Sequence, residues 1–207
     1  MIYRITKVLL VAVLKLFFRF GVKGRENIPP RGGFIIASNH ASFFDPPIIG
    51  CAFSRPTGFL AKRELFDNAF LRWYLPKVNT IPVNRGSFDI KALRRTIQEI
   101  AEGRGMLVFP EGTRTTDGEL KEPEKGIGFL VDRCQAPVIP AYIGGTFEVF
   151  PKGAKRLKLA PIRVKIGVPL YFNREERDPR KGDRSDRYKD IGNKIMKEIA
   201  FLKESAW

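Results

Sequence analysis

Between Phe34 and Val168 the chain alternates short apolar runs with stretches at helical spacing, and turn residues separate them. Phe34-Ile35-Ile36-Ala37-Ser38 follows the turn 29–33 and reads as a buried strand. Asp45-Pro46-Pro47 opens a helix, with Asp45 as N-cap, proline in the first turn and an apolar run to Phe53. Short strands are expected at 58–62 and 80–84. A helix is predicted over 89–102, where Ile90, Leu93, Ile97, Ile100 and Ala101 keep helical spacing and Gly103 closes it. A strand at 106–109, a helix at 126–134 and strands at 138–143 and 163–168 complete the pattern. This order implies an α/β fold: a single domain with a mixed central sheet flanked by helices. At 207 residues the chain has room for one domain with a substantial core.

Three segments are expected: a helix over 1–21, the α/β domain over 22–172, and a charged linker with a C-terminal helix over 173–207. Residues 174–190 carry seven basic and six acidic side chains, which nearly cancel. Ile191, Ile195, Ile199 and Leu202 then form one stripe that predicts docking on the core.

Residues Met1 to Phe20 are apolar but interrupted. The longest uncharged run, Val8 to Leu14, is far below the ~20 residues of a membrane span. At 100° per residue Arg4, Lys7, Lys15 and Arg19 fall within an arc of about 120°, with Ile, Val, Leu and Phe over most of the rest. Lys15 and Arg19 do not suit a cleavable signal peptide. Two readings follow. The helix packs on the domain's own core, or it lies in the headgroup plane as a membrane anchor; the wide apolar arc and purely basic opposite face favour the second.

The 37 Lys and Arg against 22 acidic residues give a net charge of +15, which attracts polyanions: nucleic acid, an anionic bilayer or phosphorylated substrates. A basic cluster at Lys152, Lys155, Arg156 and Lys158 has few aromatic neighbours, so it suits an anionic surface better than nucleic acid. No helix-turn-helix pattern is evident. Cys51 and Cys134 form no metal spacing, and with a single histidine a zinc site is not expected.

That histidine, His40, lies between the strand 34–38 and the helix that starts at Asp45, at a strand end where α/β folds display reactive groups. On a continuous helix the two would stand about 140° apart. A bend between them would bring Asp45 under the ring, where it would accept the imidazole N–H and raise the basicity of the other nitrogen. Taken alone, His40 also reads as a satisfied half-buried histidine. Phe109-Pro110-Glu111-Gly112-Thr113-Arg114 places a carboxylate, a hydroxyl and a guanidinium on a glycine turn, which suits a phosphate monoester or a plain surface turn. Ile81-Pro82-Val83-Asn84-Arg85 delivers another arginine to a strand end, and Lys62 ends the strand before it.

Asn39-His40 with Asp45, Ile81-Pro82-Val83 with Arg85, the Phe109–Arg114 block and Val138-Ile139-Pro140-Ala141 stand in the order of the four motif blocks of the glycerolipid acyltransferases. Across Asn39 to Ala141, about half the chain, it resembles their bacterial 1-acylglycerol-3-phosphate branch. The resemblance implies that His40 takes the proton from a glycerol hydroxyl and Asp45 orients it. It implies that Arg85, Glu111, Gly112, Thr113 and Arg114 bind the glycerol phosphate with help from Lys62, beside Asn39. Val138 to Ala141, Pro140 included, would line the acyl-donor side. The implied donor is a thioester on acyl carrier protein or coenzyme A, the acceptor lysophosphatidic acid and the product phosphatidic acid. No cofactor, metal or acyl-enzyme is expected, and the place of work is the cytoplasmic face of the cell membrane. Glycerol 3-phosphate or another lysophospholipid is the alternative acceptor. A cysteine nucleophile is the chemical rival, and a non-enzymatic peripheral lipid binder the rival of another class.

Overall fold

The computed structural model describes residues 1–84, 89–172 and 184–207. Among the described residues seven strands form one sheet in the order β1-β7-β6-β2-β5-β3-β4: β1 (Gly21–Lys23), β2 (Phe34–Ser38), β3 (Thr57–Lys62), β4 (Thr80–Val83), β5 (Gly105–Val108), β6 (Val138–Gly144) and β7 (Arg163–Ile166). The five strands from β6 to β4 run parallel. β7 is antiparallel to β6, and β1 pairs parallel with β7, so the sheet is mixed. β2 is buried along its whole length, as a central strand covered on both faces must be.

Alternation along the strands divides the core into two layers. Phe34 and Ile36 of β2 face Ile48 and Ile49 of α2 (Asp45–Ala52), Phe53 just after it and the inner stripe of α1 (Ile2–Phe18). Ile35 and Ala37 face the other way, onto α4 (Ile90–Ala101), α5 (Lys125–Cys134) and α7 (Arg184–Glu204). Of two small helices, α6 (Thr146–Val149) adds Val149 to the first layer, while α3 (Ala69–Tyr74) has no buried residue. The chain therefore leaves β2 toward one face of the sheet and leaves the adjacent β5 toward the other. Between two such strands the loops diverge and open a crevice at their carboxyl ends, where α/β sheets place their sites.

Local chemistry accounts for the helices. Asp89 caps α4 by accepting the Ala92 N–H at 3.0 Å, and its second oxygen takes the Asn84 N–H at 3.0 Å. α7 begins within the charged run and buries Ile191, Ile195 and Ile199 against α5 and β6. The α5–α7 approach depends on Gly128: a Cβ there would stand 2.1 Å from the Tyr188 carbonyl oxygen.

Three expectations change. Asp45 is not the N-cap of α2 but its first helical residue; Phe44 stands at the cap, and the Asp45 carboxylate turns back into the preceding loop. Lys7 does not share the outer face of α1 with Arg4, Lys15 and Arg19. It shares its side with Leu14 and Phe18, at i, i+7 and i+11, and these two are core residues, so the helix turns Lys7 inward. Finally, α1 is apolar on two faces. Leu10, Val11, Leu14 and Phe18 dock on the domain, while Ile5, Val8, Leu9, Val13, Leu16 and Phe17 remain exposed. Among the described residues no helix is long and apolar enough to cross a membrane.

Candidate active site

The loop that leaves β2 bends sharply between His40 and α2, and hydrogen bonds to one carboxylate oxygen hold the bend. Asp45 Oδ2 lies 2.8 Å from His40 Nδ1 and accepts the N–H groups of Ala41 and Ser42, each at 2.7 Å. Asp45 is fully buried and His40 nearly so. An ionised carboxylate only accepts, so the proton between them belongs to Nδ1 and the imidazole presents Nε2 as its basic atom. The ring lies flat on Phe109, centroids 3.8 Å apart and planes 8° from parallel. Ser42 Oγ donates to the Phe150 carbonyl at 2.7 Å and anchors the far side of the loop.

The loop after β5 braces this one from beneath. Glu111 is buried; its Oε1 accepts the backbone N–H of His40 at 2.9 Å and its Oε2 that of Lys121 at 3.2 Å. Burial pushes its carboxyl pKa up, and the two amide hydrogen bonds oppose the rise. The Thr115 N–H donates to the His40 carbonyl at 2.8 Å, so both backbone groups of His40 are held by the 109–115 turn. Gly112 turns the chain at φ +67°, where a side chain would also press on Glu124. Glu111, grouped by resemblance with the phosphate ligands, thus has its carboxylate engaged by backbone amides.

Asn39 is similarly engaged. Its side chain accepts the Ile143 N–H at 2.8 Å and donates to the Ile143 carbonyl at 3.0 Å, which pins the end of β2 to β6. Val138, Ile139, Pro140 and Ala141 are buried within β6, between β2 and β7, and do not line the cleft. Gly112 and Thr113 are exposed on the turn. Arg85 lies outside the described residues.

His40 and Phe109 line an apolar cleft of about 470 Å³. Its walls are the inner face of α1 (Tyr3, Thr6, Leu10), α2 (Pro46, Gly50), β3 (Phe59, Ala61) and the segment 65–78 (Leu71, Tyr74, Val78). Lys62 and Arg114, from two different strand ends, also line it. Lys7 enters from α1, donating to the Phe53 carbonyl at the C-terminus of α2, where a cation complements the helix dipole. Burial holds its amine below the ordinary lysine range, with Cys51 raising it and Arg25 adding to the fall. Burial drives the Cys51 thiol up to about 11, opposed by Lys7 and Arg25, and burial likewise drives Cys134 to about 11. Both cysteines stay protonated near neutrality, which does not suit a nucleophile.

The Phe109 stack and the contribution of α1 to the cleft were not read from sequence. The i, i+7, i+11 stripe through Lys7 was the available signal for the second.

A buried His–Asp pair at the switch point of a mixed α/β sheet, facing an apolar cleft, is the setting of a lipid-handling transferase, and the chain belongs to the acyltransferase family: that family's profile, described as Acyltransferase, matches residues 19–144. Its relatives narrow the class. It is 32% identical over 161 residues to 1-acyl-sn-glycerol-3-phosphate acyltransferase of Bacillus subtilis (strain 168), covering 75% of this chain and 77% of that protein. It is 27% identical over 164 residues to a chloroplastic protein of the same name from Brassica napus, of which it spans 47%. A crystal structure titled as the 1-acyl-sn-glycerophosphate (LPA) acyltransferase from Thermotoga maritima superposes with a TM-score of 0.80 at 27% identity, covering 99% of this chain and 81% of that one.

Proposed function

We propose that the chain moves a fatty acyl group from an acyl thioester to the free sn-2 hydroxyl of 1-acylglycerol 3-phosphate, forming phosphatidic acid for phospholipid synthesis. The observation that carries this reading is one side chain: His40, paired with Asp45 and stacked on Phe109, in the wall of an apolar cleft that Lys62 and Arg114 also line. The relatives' names support the choice of acceptor.

In this reading His40 Nε2 takes the hydroxyl proton as the oxygen attacks the thioester carbonyl. Asp45 holds the tautomer and stabilises the imidazolium that forms. The tetrahedral intermediate then expels sulfur, which takes the proton from His40, and the acyl group has moved with no acyl-enzyme. General-base help is worth roughly 10²–10⁴-fold, and holding both substrates in register supplies much of the rest. The apolar walls exclude water that would otherwise hydrolyse the thioester. Lys62 and Arg114, with Arg85, take the phosphate, while Glu111 and Asn39 hold the loops that carry His40. The exposed apolar face of α1 rests on the bilayer, on the cytoplasmic side where thioesters of acyl carrier protein or coenzyme A are available.

The test is a product assay. The full chain is incubated with labelled acyl-coenzyme A or acyl carrier protein and with 1-acylglycerol 3-phosphate, glycerol 3-phosphate, lysophosphatidylcholine or monoacylglycerol. Labelled phosphatidic acid from the first acceptor, lost in His40→Ala, is the expected result. Acylation of glycerol 3-phosphate in preference would move the chain to the other acceptor class. Transfer to none of the acceptors would leave a lipid-binding protein.

A further inference from the structure

The segment between α6 and β7 has a composition that the reaction does not require. From Pro151 to Ile162 it carries Lys152, Lys155, Arg156 and Lys158 and no acidic residue. Leu157 and Leu159, set between the cations, are 48% and 68% exposed. A single exposed leucine needs no explanation, but two that alternate with cations form an apolar tip in a basic collar.

This segment is held in place. The Ala154 N–H donates to the Pro151 carbonyl at 3.1 Å and the Lys158 N–H to the Val149 carbonyl at 2.9 Å. At its end the Ile162 N–H donates to the Phe18 carbonyl at 2.8 Å, and the Gly21 N–H donates to the Ile162 carbonyl at 3.1 Å. The first bond joins it to the C-terminal end of α1, where Leu16, Phe17 and Arg19 are exposed, and the second to the start of β1. The other flank of α1 meets the 3₁₀ turn Leu75–Val78, which follows α3 with its exposed Phe70 and Trp73. A second exposed patch of the same mixed chemistry is therefore tied, through Ile162, to the C-terminal end of α1.

We infer that residues 152–159 are a second membrane contact, in which Leu157 and Leu159 enter the acyl region of an anionic bilayer while Lys155, Arg156 and Lys158 meet its phosphates. A helix lying on a surface by itself is free to roll about its own axis; a foot beside one end fixes the roll and, with it, the direction in which the cleft opens. The cations alone would equally suit an acidic carrier protein. The exposed leucines between them and the junction with α1 select the bilayer.

The inference rests on the membrane reading of α1, so the experiment separates the two. Full-length wild type, Leu157→Ser/Leu159→Ser, Lys155→Gln/Arg156→Gln/Lys158→Gln and the α1 variant Leu9→Ser/Leu16→Ser are sedimented with phosphatidylcholine vesicles with and without phosphatidylglycerol. Thermal melts and turnover on detergent-dispersed substrates, with both donors, accompany each. The charge variant should lose on the order of 100-fold in binding to anionic vesicles, and the leucine variant roughly tenfold, with unchanged melting and dispersed-substrate turnover. Loop variants that bind as wild type while the α1 variant is released would overturn this inference and leave the anchor standing. Full binding by every variant, or none by wild type, would overturn the anchor as well. Normal vesicle binding with a loss confined to the carrier-protein thioester would make the patch a protein-docking surface and refute the lipid assignment.

Discussion

Asp45 Oδ2 receives the His40 ring and two backbone amides, so one carboxylate sets both the shape of the loop and the tautomer of the imidazole. His40→Ala should cut turnover by at least about 100-fold with little change in the melting curve. Asp45→Asn should fall by a comparable factor and also lower the melting temperature, because three donors lose a charged acceptor. A His40→Ala variant within tenfold of wild type would end the general-base assignment. The arginine and lysine of the cleft should act on a different quantity. Arg114→Ala or Lys62→Ala should raise KM for 1-acylglycerol 3-phosphate roughly 10- to 100-fold, since charge-assisted hydrogen bonds are worth about 1.5–3 kcal/mol, while monoacylglycerol turnover barely moves. Equal losses on both acceptors would transfer these residues to the donor or the fold. Glu111 predicts a pH effect. Its folded pKa lies above that of the unfolded chain, so between the two values the folded state holds more protons, and stability falls as pH rises through that window. Glu111→Gln should flatten that part of the curve in urea melts taken across the acidic range; an unchanged slope would show that another group sets it.

At the scale of elements, α1 docks one face on the domain and leaves another apolar face exposed, where the wheel presented core packing and a membrane anchor as rivals. Leu14→Ala removes a core side chain and should cost about 2–5 kcal/mol, whereas Leu9→Ser with Leu16→Ser should leave the melting temperature within a degree or two and release the protein from vesicles. Loss of stability in the surface pair would mean that the outer face packs on protein after all. Deleting 1–20 would remove a wall of the cleft along with the exposed apolar face and cannot separate packing from membrane binding. The longer elements were legible because their side chains alternate or recur at helical spacing: β2, α4 and the stripe Ile191, Ile195, Ile199 all stand where the pattern put them. β1 and α6, three and four residues long, have too few side chains to show a period and form through their neighbours. Asp45 misled for a chemical reason, since aspartate before two prolines is what a capping residue looks like, while here the carboxylate is spent on the loop behind it. The four motif blocks were readable as sequence but not as roles. Only the fold shows that Glu111 and Asn39 face backbone, and that Pro140 is sheet interior.

For the whole molecule, the two faces of the sheet divide the labour. α4, α5 and α7 form a scaffold layer on one face, and α1 and α2 form the layer that borders the cleft on the other. α1 offers one side to the cleft and the opposite side to its surroundings, so on the proposed membrane reading adsorption and catalysis would share a single wall. Adsorption thus changes what concentration means to the active site. Once docked, the protein samples substrate in two dimensions, and its rate should follow the mole fraction of acceptor in the surface rather than the amount per litre. Diluting 1-acylglycerol 3-phosphate with inert phospholipid, at constant bulk acceptor, should therefore slow turnover in proportion, and the Leu9→Ser/Leu16→Ser variant should lose that proportionality while keeping its rate on dispersed monomers.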